Sequence, residues 1–174
     1  MARVALVRLG VAASAFLLVA AQPPSFEARV LAVHNAERAR YGAPPMVWDP
    51  VLAQGAAQWA ATLAQTGGFD HSDRRTRPGI GENIAAGDRG AFPVEQLIAI
   101  WTSERLLFVP GVFPNVSRDG NWFSVSHYTT MIWPSTTRLG CAMAASPRED
   151  LLVCRYSPKG NTDGRPVGVP PAAS

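Results

Sequence analysis

The sequence predicts one α+β domain. Unambiguous helical periodicity marks three stretches that precede Leu106. A terminal hairpin follows, made of two apolar runs, Leu139 to Ala145 and Leu151 to Tyr156, on either side of Ser-Pro-Arg-Glu-Asp.

The chain opens on an address. Arg3 and Arg8 precede an apolar run from Leu9 to Ala21 that ends in Val19-Ala20-Ala21, which predicts a secretory signal peptide over residues 1–21. The run is too short to cross a bilayer core of roughly 30 Å, and no later segment approaches the ~18 uninterrupted apolar residues of a membrane helix. Removing it leaves one domain over residues 22–161, large enough for a single core, and a Pro-, Gly- and Ala-rich tail over 162–174 predicted to be disordered. The expected product is a secreted or periplasmic monomer without a transmembrane segment. The formal net charge of +3 includes Arg3 and Arg8, which leave with the leader, so the basic balance gives no argument for a nucleic-acid partner. The cluster Arg74-Arg75-Thr76-Arg77 reads as a solvated turn.

Ser25 can cap the first helix, whose apolar positions Phe26, Val30, Val33 and Tyr41 recur near helical spacing up to Gly42. The second is signalled more strongly. Asp49 stands at the N-cap and Pro50 at the first turn, Leu52, Ala56, Trp59, Ala60 and Leu63 share one face, and Gly67-Gly68 is the stop. Phe69 to Gly90 reads as loop with one short strand at Asn83-Ile84-Ala85, and it contains His71 and Glu82. The third helix begins near Pro93, with Val94, Leu97, Ile98 and Trp101 inward and Glu104 one turn beyond Trp101. Leu106 to Trp122 reads as loop. From Phe123 to Trp133 the pattern fits a strand or a helix equally. Cys141 and Cys154 sit in the two arms of the hairpin; as the only cysteines they allow one pairing, which suits an oxidising compartment.

Of three histidines, His34 lies inside the first helix and reads as a buried, hydrogen-bonded residue, while His71 and His127 lie in segments that favour a site. The order of His34-Asn35-x-x-Arg38, His71-Ser72, Gly81-Glu82-Asn83-Ile84, Trp101-x-x-Glu104, His127-Tyr128-Thr129-x-Met131-x-Trp133, Leu139-Gly140-Cys141-Ala142 and Tyr156-Ser157-Pro158-x-Gly160-Asn161 resembles the CAP superfamily of cysteine-rich secretory, antigen 5 and pathogenesis-related proteins. The resemblance implies a three-layer α-β-α sandwich with an antiparallel-rich central sheet. It also implies a short helix from His127 to Trp133, and a cleft where His71, Glu82, Glu104 and His127 converge. Thr130 stands where many members carry glutamine, and a single disulfide resembles the streamlined bacterial members.

Two imidazoles and two carboxylates suit zinc, with His71 and His127 as ligands and Glu82 and Glu104 holding a water or orienting the rings. A metal-bound water beside a carboxylate would outline a hydrolase acting on peptide or envelope polymer. However, the chain carries no His-Glu-x-x-His and no Gly-x-Ser-x-Gly. The favoured expectation is therefore a non-enzymatic binding module for a lipid, a sterol-like molecule or a cell-envelope component.

Overall fold

The computed structural model describes residues 23–169, so the predicted leader lies outside the described residues. Helix α1 spans Phe26–Ala39 and is capped by the Ser25 hydroxyl, which accepts from the Ala28 N–H. Its inward face is Val30, His34 and Arg38, two of them polar, where periodicity pointed to Val33. Strand β1 is only Val47–Trp48. Helix α2, Pro50–Thr66, has the predicted caps: the Asp49 carboxylate accepts from Val51 and Leu52 N–H, and Gly67 closes it in the left-handed conformation.

Strand β2 runs over Gly81–Asp88, longer than the expected Asn83-Ile84-Ala85, and it includes Glu82, whose polar, Gly-rich surroundings in sequence suggest loop. Helix α3 is Val94–Ser103, α4 is Ser126–Ile132 behind a 3-10 turn at Trp122–Val125, and the hairpin is β4 (Arg138–Ala145) with β5 (Glu149–Ser157). The ambiguous segment is thus helical, as the resemblance implied. Five of its seven α-helical residues, the continuous run from Tyr128 to Ile132, are buried.

The main sheet has the order β1-β4-β5-β2, with β1 parallel to β4 and the other pairs antiparallel. Side chains alternate across it. Leu139, Cys141, Leu152, Cys154, Tyr156 and Ala85 join the larger core with α1, α3 and α4, whereas Ile84, Leu151 and Val153 meet Ala56, Ala60 and Leu63 of α2. The architecture is an α-β-α sandwich with a core on each face of the sheet. Cys141 and Cys154 face each other in register and are bonded.

Helix α2 lies against β4 with backbone on backbone. A Cβ at Gly140 would strike Ala53 N, Asp49 O at 2.6 Å and Leu52 C at 2.7 Å, groups that cannot swing away. Gly140→Ala is expected to cost about 3 kcal/mol, seen as a lower denaturant midpoint with unchanged slope.

The chain does not fray after Asn161. The Phe113 N–H donates to the Arg165 carbonyl and the Gly164 N–H to the Phe113 carbonyl, β6 (Pro166–Val167) pairs with β3 (Gly111–Val112), and Val167 is fully buried in one core with Phe108 and Val116. The expectation of disorder over 162–174 is corrected as far as Val169. Its glycines build turns, Gly164 at φ 75° and Gly168 at φ 67°, and one apolar residue reaching the core anchors the rest.

Candidate functional site

Glu82 and Ser72 set the first half of the site. Strand alternation turns Glu82 to the α2 side of the sheet with Ile84, opposite Arg155 of β5. Its side chain is fully buried. The carboxylate accepts from the Ser72 N–H (2.9 Å), the Ser72 hydroxyl (2.6 Å) and His71 Nδ1 (3.0 Å), with Arg155 Nε at 3.4 Å and Arg77 Nε at 3.6 Å. Arg155 reaches this position by lying along Gly55 of α2, where any Cβ would collide with its guanidinium. The loop bearing His71 is tied to α2 by the Trp59 indole N–H, which donates to the Asp70 carbonyl (3.0 Å). Burial pushes the Glu82 carboxyl up, but the hydrogen bonds from His71 and Ser72 and the charge of Arg77 overcome it and hold it at about 2.

The second half is built on the other layer. Glu104 closes α3, and its carboxylate accepts from His127 Nδ1 (2.6 Å) and the Tyr128 N–H (2.9 Å). The His127 ring lies parallel to Trp101, centroids 6.3 Å apart, and Trp101 is buried with its indole N–H on the Ile84 carbonyl. Asn83 Nδ2 donates to the His127 carbonyl (3.1 Å) and to the Tyr156 hydroxyl (3.3 Å).

Behind them lies His34, fully buried, its Nδ1 on the Val30 carbonyl (2.9 Å) and its Nε2 on the Tyr156 hydroxyl (3.0 Å). A carbonyl only accepts, so Nδ1 carries the proton and Nε2 receives the tyrosine O–H. Burial pushes the His34 imidazole down to about 4, so this ring is neutral at pH 7.

The same reasoning fixes the two site rings. An ionised carboxylate only accepts, so Nδ1 of His71 and of His127 donates, and in the neutral form of each ring the lone pair falls on Nε2. Neither Nε2 has a hydrogen-bond partner among the described residues. His71, Glu82 and His127 line one open cleft of about 860 Å³; Glu104 stands behind His127 and does not line it. The four residues thus form two His–Glu pairs instead of one four-ligand shell. Among the described residues no three His, Cys, Asp or Glu side chains are grouped to hold a metal. The donor set still fits a zinc ion held by two imidazole nitrogens and otherwise by water or ligand.

Thr130, in the position of an expected amide, lines the cleft with its hydroxyl engaged, donating to Ser126 O and accepting from Asn161 Nδ2. Sequence reasoning missed the grip of Ser72, Arg77 and Arg155 on Glu82. The Glu82-x-Ile84-x-Ala86 alternation carried a signal for the strand, but the cross-strand register with Arg155 did not show.

Residues 31–156 match the CAP family, described as the cysteine-rich secretory protein family, and the chain belongs to it. It is 35% identical over 136 residues to pathogenesis-related leaf protein 6 of Solanum lycopersicum, covering 78% of this chain and 79% of the relative. It is 30% identical over 148 residues to the secreted protein RBT4 of Candida albicans, covering 80% of this chain but only 36% of that protein. Among solved structures it is similar to NaASP2, crystallised with Zn2+, with a TM-score of 0.64 at 26% identity, covering 82% of this chain and 85% of that one.

Proposed function

We propose that the protein is an exported, non-enzymatic binding module whose cleft takes up a divalent metal such as zinc through His71 and His127. One observation carries this reading: both rings are oriented by a carboxylate at Nδ1 with Nε2 unpartnered among the described residues, and both residues line the same cleft. Glu82 and Glu104 orient the rings from behind. Export agrees with the N-terminal leader pattern, with the disulfide and with the secreted relative. Having a single disulfide, the chain reads as the streamlined, bacterial form of the family. A lipid or sterol-like molecule would suit a second, apolar groove of about 640 Å³, lined by Tyr41, Ile132, Trp133, Pro134, Pro166 and Val169. No helix among the described residues is long and apolar enough to cross a membrane.

A metal-assisted hydrolase acting on peptide or envelope polymer is the lesser reading. A general base works best with its pKa near the operating pH, and Glu82, held at about 2 by donors on both oxygens, is a poor one. Zinc titration by calorimetry decides the metal reading. Wild type should bind one zinc per chain and His71→Ala/His127→Ala none, with unchanged circular dichroism; equal uptake by both would remove the proposal.

A further inference from the structure

The cleft holds more chemistry than its histidines use. Trp122 and Phe123, in the turn that leads into α4, both line it and stack on each other with ring centroids 3.9 Å apart and planes 25° apart. Trp122 is braced from behind by Phe113, edge-on at 5.0 Å, and Phe113 is buried. Phe123 is 65% exposed, so it gives little to the core; what it presents is a flat, rigidly backed apolar face.

Three cations line the same cleft, the buried Arg77 and two exposed ones: Arg74 from the turn after His71, and Lys159 from the segment after β5, whose backbone N–H donates to the Gly79 carbonyl. Neither Arg74 nor Lys159 is ion-paired among the described residues. The neighbouring cations are engaged: Arg75 pairs with Asp73, and Arg77 is spent on Glu82, Ser72 and the Ile80 carbonyl. The carboxylates of the lining are Glu82, whose charge is matched by Arg77 and Arg155, and Asp163, which leaves the accessible wall with two cations against one anion.

Asn161 completes the wall. It is a non-glycine residue at φ 50°, pinned by the Thr129 hydroxyl and by bonds to Ser126 O and Thr130, so the segment carrying Lys159 is held rigidly against α4. An aromatic face, free cations, and hydroxyl and amide groups around an open cleft match a ligand with apolar ring faces, many hydroxyls and negative charge.

We infer that the cleft binds an acidic oligosaccharide, with sugar ring faces on Phe123 and Trp122 and carboxylates toward Arg74 and Lys159. The inference rests on the reading of the cleft as a binding site and names the ligand class. It asks nothing of the metal: the histidines stand beside this subsite.

The test is tryptophan fluorescence titration with tetragalacturonate and, as a neutral match of equal length, a galactose tetramer, with zinc titrated separately into the same samples. Wild type should bind the acidic tetramer at least tenfold more tightly than the neutral one, and added salt should weaken it. Phe123→Ala should weaken both about tenfold, and Arg74→Glu/Lys159→Glu should weaken the acidic tetramer alone. All of these changes are on exposed side chains that the fold does not need. Equal affinity for the two sugars, or none for either, would overturn the inference. Zinc uptake in that case would leave the metal reading standing, and loss of zinc uptake with sugar binding intact would do the reverse.

Discussion

Arg38→Lys is expected to lower the melting temperature by about 10 °C, the consequence of losing about 3–5 kcal/mol from a domain of this size. Arg38 is fully buried and has no carboxylate partner among the described residues. Its guanidinium donates instead to four carbonyls: Nε to Pro44 (2.7 Å), Nη1 to Met131 (3.0 Å) and Trp133 (2.8 Å), and Nη2 to Thr136 (2.7 Å). Burial pushes it down to about 10, so the charge persists at pH 7. A guanidinium satisfies all four because its donors point outward in one plane. An ammonium keeps the charge but lacks that fork and would leave carbonyls buried without donors. The loss is not confined to stability. Met131 and Trp133 end α4, the helix that carries His127, so a protein that keeps its melting point with lysine here would show that the guanidinium is not what secures that helix.

Glu82→Ala should cost a similar amount and also reshape the acid limb of the stability curve. Removing the carboxylate leaves Arg77 and Arg155, with side chains only 7% and 14% exposed, without a counter-charge, worth about 3–5 kcal/mol. The pH dependence follows from the same group. Glu82 is held at about 2 in the folded chain against an ordinary value of 4.5, so its contribution of about 3 kcal/mol is complete above pH 4.5 and is lost as pH falls from there toward 2. His34 acts in a higher window: held at about 4 against 6.5, it stabilises fully above 6.5 and loses its share between 6.5 and 4. Wild type should therefore weaken in two stages on acidification, and Glu82→Ala should retain only the upper one. Denaturant midpoints at stepped pH would show it, and a variant curve parallel to wild type down to pH 2 would refute the assignment.

What could be read from the sequence tracks how local the determinants are. The caps of α2 depend on Asp49, Pro50 and Gly67 alone, and the hairpin on two apolar runs and a Pro turn, so both were legible. β1 was not, because two residues paired in parallel with a strand far along the chain leave no pattern of their own. Residues 162–169 were misread because composition reports turn content, and a single buried valine decides whether turns are ordered. His34 and Arg38 show the opposite error. Periodicity looks for apolar residues, whereas the inner face of α1 carries two polar side chains whose partners, Tyr156 and the carbonyls of Pro44, Met131, Trp133 and Thr136, lie elsewhere in the chain. His71 and His127, singled out by their sequence surroundings, both line the cleft. Their division into two separately supported pairs was not, because it arises from which face of β2 Glu82 occupies.

That division has a mechanical meaning. One histidine is mounted on the α2 side of the sheet and the other on the α3–α4 side, across the edge strand β2, so the cleft is a seam between the two halves of the sandwich. Anything that grips both rings at once acts as a clasp across that seam. The free energy of such a clasp resists the opening of the whole molecule, about 2.7 kcal/mol at a hundredfold excess over its dissociation constant. Occupancy and durability would then be set by the same contact.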